Sequence, residues 1–198
     1  MSKDKQKDAL IAAAHAVFTK KGANSATLEE IAKEAKVDTK TAKSIFANTS
    51  AIISDIISRD VDETSELFTR IINDRGKADI KLTRLVRELL LRYQQSYPLF
   101  NLASYGLETS GEDLDALKGA LKQEHLDRYR QNTAIIGRLI AQGQSENLFT
   151  DVDPLEAAYL LRGMISAAIR FRQIAKKEND MRDHADSIMR VFLKGLLR

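Results

Sequence analysis

Apolar residues recur along this chain at three- and four-residue steps, and no segment alternates apolar and polar positions as a strand does. Leu10, Ala13, Ala14, Val17 and Phe18 mark one face of a helix predicted over 3–21, with Gly22 as its stop. Leu28, Ile31, Ala32 and Ala35 mark a short second helix, and Ala42, Ile45 and Phe46 the inner face of a third. A fourth begins near Ser50 and carries Ile52, Ile53, Ile56, Ile57, Val61, Leu67, Phe68, Ile71 and Ile72 before the break at 73–76. Residues 78–96 read as a strongly buried helix through Ile80, Leu82, Leu85, Val86, Leu89, Leu90 and Tyr93. Pro98 starts a short aromatic-rich helix with Phe100 and Tyr105, closed at 109–111. Residues 112–145 fit one helix of roughly 50 Å, and the last two helices are predicted over 154–177 and 181–197, with Pro154 at the first position of the former. The pattern predicts an all-α fold of about nine helices.

The stretch from Thr27 to Phe46 is the most specific. Thr27 is placed to cap the second helix, and Glu30 three residues later completes a capping box. Val37 sits in the break, and Asp38 or Thr39 caps the third helix. Thr39, Lys40, Thr41, Lys43 and Ser44 are left facing outward. Two capped helices around a tight break make a helix-turn-helix, whose second helix fits the width of the DNA major groove. Lys40, Thr41 and Ser44 are the candidates for base edges, since lysine donates to guanine O6/N7 and a threonine methyl meets a thymine methyl. Lys43, Thr39, Thr27 and Asn48 are candidates for phosphate contacts that position the helix. Lys3, Lys5 and Lys7 form an N-terminal arm for the same backbone.

Charge supports this reading more by place than by amount. The net charge is +3, and residues 1–50 hold nine lysines against six acids, so the first quarter carries the whole excess. The chain has no cysteine, which excludes disulfides, thiol catalysis and cysteine-bound metal and suits a reducing cytosol. Its polar N-terminus lacks the apolar core of a signal peptide, and no stretch approaches 18 uninterrupted apolar residues, so a cytoplasmic protein without a membrane span is expected. His15, His125 and His184 stand outside any Glu-x-x-His motif, and no glycine-rich phosphate loop or nucleophile motif is present. No metal, cofactor or catalytic residue is expected, which leaves an all-helical enzyme as a remote alternative.

The last two helices present distinct faces. The first mixes small residues, Gly163, Ser166, Ala167 and Ala168, with Leu160, Met164, Ile165 and Ile169. The second carries Met181, Ala185, Ile188, Met189, Phe192, Leu193 and Leu196. Two such helices from each of two chains make a four-helix, two-fold interface, and a homodimer is expected.

A spaced set of residues also resembles a known family. The run from Ala9 to Ala14, then Val17, Phe18 and Gly22, the run from Thr27 to Val37, and Thr41, Phe46 and Ile52 resemble the N-terminal domain of TetR-family transcriptional regulators. Ile140 to Gly143, Leu148, Phe149, Asp153 and Pro154 add a second, shorter match. The resemblance implies a DNA-binding domain over 1–48 and a helical ligand-binding and dimerisation domain over 49–198. It implies a repressor of an inverted-repeat operator in double-stranded DNA, released by a small apolar or amphipathic effector whose binding moves the fourth helix. Phe68, Tyr93, Tyr97, Phe100, Tyr105 and Phe171 are the aromatic candidates for lining the effector pocket. Members usually have glycine where Lys36 and Lys40 stand, an aromatic where Lys43 stands, and lysine where Ser50 stands. One phosphate contact at Ser50 is thereby exchanged for cations at Lys36, Lys40 and Lys43, so Lys36 joins the DNA-binding set and the operator is expected to be the chain's own. If Lys36 takes the left-handed turn that glycine suits, it costs about 1–2 kcal/mol. The alternative is a fold of this type that binds a protein partner and no DNA.

Overall fold

The computed structural model describes residues 2–23, 25–95, 120, 122–176 and 179–196 of the chain. Among them are eight α-helices and no strand: α1 Lys3–Lys21, α2 Leu28–Glu34, α3 Thr39–Ile45, α4 Thr49–Asn73, α5 Ala78–Gln95, α6 Gln123–Ser145, α7 Pro154–Ile174 and α8 Asp183–Leu196. The aromatic helix expected after Pro98 lies outside the described residues, as does most of the expected start of a helix over 112–145. That helix does not run unbroken, because Lys122 is not helical and α6 starts at Gln123. At this start the His125 ring takes up a backbone donor: its Nδ1 accepts the Lys122 N–H at 3.1 Å.

The chain divides into two compact units, one built from residues up to 60 and from the segment ending at 126, the other from 61–95 and from 127 onward. In the first, α1, α2 and α3 pack on one another. Leu10, Ala14 and Phe18 of α1, Ile31 and Ala32 of α2, Ala42 of α3, and Phe46 and Ile52 are all buried. Seven residues are too few for a helix to stand alone in water, so α2 and α3 owe their form to this burial, about 1.5–3 kcal/mol for each large side chain, and to their caps. Ile45, expected inward, is only half-buried. Lys7 does not belong to a free arm. It lies within α1, pairs with Asp55 at 2.5 Å and sits 5.8 Å over the Phe46 ring.

In the second unit, α8 packs against α5 and α7. Leu82, Leu85, Val86, Leu89, Leu90 and Tyr93 form the buried stripe of α5. Ile80, expected to share it, is 63% exposed. Two residues from Leu82 is about 200° around a helix, so Ile80 faces away from the stripe. The apolar stripe of the last helix is an internal face: Ala185, Ile188, Met189 and Phe192 are buried within their own chain, as is Met181 in the turn before it. Between α6 and α7 the chain turns sharply. Asn147 takes φ 57°, the Leu148 N–H donates to the Gly143 carbonyl at 2.9 Å and the Asn147 N–H to that of Gln144 at 3.0 Å, which is a Schellman stop. Asp153 then accepts the N–H groups of Leu155 and Glu156 at 2.8 Å and caps α7, whose first residue is Pro154.

Candidate nucleic-acid interface

Both short helices of the first unit are fixed at their ends by side chains near the sequence positions predicted for DNA contact. Thr27 Oγ1 accepts the Glu30 N–H at 3.3 Å, and Glu30 accepts the Thr27 N–H at 2.9 Å, so the capping box is formed. Lys21 reaches the same carboxylate at 2.6 Å and, as the largest cause, holds it down at a pKa of about 2. At the other end of α2, Lys36 has φ 54°. The Val37 N–H donates to the Ala32 carbonyl at 2.9 Å and the Lys36 N–H to that of Lys33 at 3.1 Å. This is again a Schellman stop, with Lys36 at the left-handed position and the buried Val37 pinned behind it. Asp38 follows at once and caps α3, accepting the Thr41 N–H at 3.0 Å.

The turn presents one face of α3 outward. Ala42 is fully buried and Phe46 nearly so, while Lys40, Lys43 and Ser44 are exposed and Thr39 and Thr41 half-exposed. Ser44 Oγ donates to the Thr41 carbonyl at 2.7 Å, which leaves its lone pairs outward. Thr27, Lys36 and Asn48 are exposed as well. Asn48 has a structural task that its sequence position did not reveal, since its Oδ1 accepts the Ala51 N–H at 2.9 Å and starts α4.

Acidic residues decide where the positive charge is available. Glu29, Glu30 and Glu34 of α2 pair with Lys43 at 2.9 Å, Lys21 at 2.6 Å and Lys20 at 3.9 Å. The side chains of Lys33, Lys36 and Lys40 make no ion pair or hydrogen bond with any of the described residues. The uncompensated cations of α2 and α3 therefore gather at the turn between them. Reading the two helices separately shows each charge but not these pairs, because the partners are 9 to 14 residues apart.

Three of the six aromatic residues expected to line an effector pocket lie among the described residues. Phe68 and Tyr93 are buried in the second unit. Phe171 is 54% exposed on α7 and meets the His184 ring edge-on at 6.2 Å. Tyr97, Phe100 and Tyr105 lie outside the described residues. Around Phe171 runs an open apolar face that includes Leu160 and Ile174 of α7 and Val191 of α8, with Gly163 and Ala167 exposed among them. A groove of about 480 Å³ lies on this face between Leu160, Met164, Val191 and Gly195. Among the described residues, no group of three or more histidines and acids is placed to hold a metal, and no helix is long and apolar enough to cross a membrane.

Comparison with known proteins agrees with this geometry. Residues 10–54 match the family model of the bacterial regulatory proteins of the tetR family. No curated protein sequence matches the chain. Among solved structures it is similar to the fatty acid degradation regulator FadR from Bacillus halodurans, with a TM-score of 0.79 at 19% identity over 98% of this chain and 97% of that one. FadR from Bacillus subtilis, solved in complex with stearoyl-CoA, gives 0.77 at 20% identity over 95% and 98%. NalD, the secondary repressor of the MexAB-OprM efflux pump in Pseudomonas aeruginosa, gives 0.75 at 19% identity over 100% and 99%.

Proposed function

Since the chain belongs, through residues 10–54, to the TetR family of bacterial regulatory proteins, and is a DNA-binding transcriptional regulator rather than an enzyme, we propose that it is a dimeric cytoplasmic repressor released from an inverted-repeat operator by a small effector. The observation that carries the DNA-reading part is α3: a helix capped by Asp38, anchored by Ala42 and Phe46, with Lys40, Thr41 and Ser44 on its outer side. In this reading those three meet base edges, and Lys36, Thr39, Thr27 and Asn48 meet phosphates. Lys43 shares the face but is bound to Glu29. Residues 1–48 form the reading domain and 49–198 the regulatory one.

The exposed face through Leu160, Phe171, Ile174 and Val191 supports a two-fold dimer through α7 and α8. Such a dimer meets successive major grooves when its two recognition helices stand about 34–36 Å apart. The effector reading is apolar or amphipathic, and the stearoyl-CoA of the Bacillus subtilis FadR complex makes a long-chain acyl thioester the first compound to try. To release DNA it must bind one spacing of the reading heads better than the other.

The test is a selection of genomic fragments with the purified protein at about 0.1 M salt, where phosphate contacts still contribute strongly. One short inverted repeat is expected to be enriched, and stearoyl-CoA to release it. No enrichment even at low salt would leave only the protein-interaction reading. Enrichment without release would keep the DNA reader and discard the effector class.

A further inference from the structure

Three acids of α2 point at three lysines, but they do not do the same work. Glu30 and Glu34 pair with Lys21 and Lys20, both at the end of α1. Glu29 alone reaches across to α3, where its Oε1 lies 2.9 Å from Lys43 Nζ, with both side chains more than half exposed. Glu29 is not the residue that closes the capping box, since Glu30 does so. Its carboxylate stands on the rim of the surface that carries Lys40 and Ser44, and the Lys43 hydrogen bond is the main reason its pKa lies below the ordinary value.

A free lysine on that rim is a flexible point charge that satisfies any phosphate within reach. Beside Glu29 it is neither free nor a net charge. A separation of 2.9 Å is well inside the screening length of about 10 Å at 0.1 M salt, so incoming phosphate meets the pair and not the lysine alone. The ammonium has three donors. With one held by Glu29, two remain for an incoming acceptor. We propose that Glu29 is a positioning residue for specificity: it withholds Lys43 from the phosphate backbone and holds it as an oriented donor for a base edge. The sequence-independent part of binding is then left to the phosphate set, whose lysine is Lys36 at the turn. Because sequence-independent affinity is essentially all electrostatic, one lysine released from its acid strengthens binding to any duplex without adding a base contact.

This inference rests on the DNA-reading role, and the experiment separates the two. The affinities of the full chain, E29Q and E34Q are measured for the selected operator duplex and for a scrambled duplex between 50 and 200 mM salt. E34Q makes the same charge change on the same helix but frees Lys20, on α1. E29Q is expected to bind the scrambled duplex about eightfold tighter near 0.1 M salt and to steepen the slope of log K against log salt by about 0.9, one extra phosphate contact. Its preference for the operator is expected to fall by at least the same factor, while K43A placed in the E29Q background returns the slope to the wild-type value. An unchanged slope, an unchanged preference, or the same effect from E34Q would overturn the role of Glu29 while leaving the DNA reader standing. If the wild-type chain binds no duplex, both readings fall together.

Discussion

The ring of Phe149 occupies the space that a side chain on Gly143 would fill. A Cβ built on Gly143 overlaps the Cδ2 and Cε2 edge of that ring and lies 2.9 Å from its Cγ. Phe149 is 1% exposed, so the ring has no open side to move toward. Alanine at this helical position would gain up to about 1 kcal/mol of helix propensity, but the overlap must be relieved by shifting a buried aromatic, which typically costs 1–3 kcal/mol or more. G143A is therefore expected to lower the urea midpoint clearly. G137A, whose Cβ would meet the Pro154 carbonyl oxygen at 3.3 Å, is expected to be near neutral. Equal midpoints for the two variants would refute this account of the turn.

Lys36 gives the opposite sign. It holds φ 54° at the end of α2, the position where glycine has no steric penalty. K36G should relieve about 1–2 kcal/mol of left-handed strain and lose part of that to the greater freedom of the unfolded chain, for a net gain of roughly 0.5–1 kcal/mol. K36A keeps the strain and should not stabilise. Both remove a cation that has no partner among the described residues, so both should weaken duplex binding alike. A denaturation series on the three proteins reads the first effect, and a salt titration of duplex binding the second.

These two sites show where reading the sequence succeeds and where it stops. The capping box is legible in Thr27 and Glu30, and the cap of α3 is narrowed to Asp38 or Thr39, because capping is a relation between residues three apart. The left-handed turn at Lys36 was legible only through a resemblance, since nothing local to lysine announces it. Gly143 reads as a weak point in a helix until Phe149 folds back on it, six residues on. The pairing of Glu29 with Lys43 was not legible, because it depends on how two helices cross. Ile80 is misplaced by counting apolar residues without tracking their angle.

Lys40 is the sharpest probe of how the recognition helix reads DNA. It is exposed, without a partner among the described residues, one turn before Ser44. If it donates to a base edge, K40A should cost about 1–3 kcal/mol at one operator position and relax preference there alone. Binding to a panel of single-base operator variants is the measurement. Uniform weakening across the panel, with the salt slope reduced by about one, would move Lys40 to the phosphate set.

His125 makes folding sensitive to acid. The ring is 3% exposed, its Nδ1 accepts the Lys122 N–H, and its Nε2 lies 2.8 Å from Ser58 Oγ. One tautomer, protonated at Nε2, satisfies both contacts, whereas a second proton on Nδ1 would face the Lys122 N–H. Burial, the largest cause, lowers its pKa below 6.5, against an opposing pull from Glu124, and burial lowers that of His15 in the same way against Asp60. Between the folded value and 6.5 the unfolded chain holds more protons, so stability is complete above about pH 6.5 and declines as pH falls toward the folded value. The urea midpoint should drop between pH 7.5 and 5.5, and less so in H125Q and H15Q. If neither variant flattens the decline, other groups carry it.

The apolar face on α7 and α8 predicts the assembly. Leu160 is 61% exposed, Phe171 54%, Ile174 81% and Val191 63%, a density of apolar exposure that a lone chain would ordinarily cover. Gly163 and Ala167 lie exposed on the same helix and let a partner helix approach closely. A glutamate at Leu160 or Phe171 would bury an unpaired charge in a two-fold interface, twice over because the interface is isologous. Neither position contributes to the chain's own core, so L160E and F171E should keep their helical content and their thermal transition as single chains. In sedimentation equilibrium they should have the mass of one chain where the wild type has that of two. Operator affinity should fall about 100-fold or more, because the second half-site is no longer delivered at high effective concentration. I80E is the control, since Ile80 is as exposed as Leu160 but stands on α5. A wild-type chain that sediments as a monomer, or an I80E variant that dissociates like L160E, would rule out α7 and α8 as the interface.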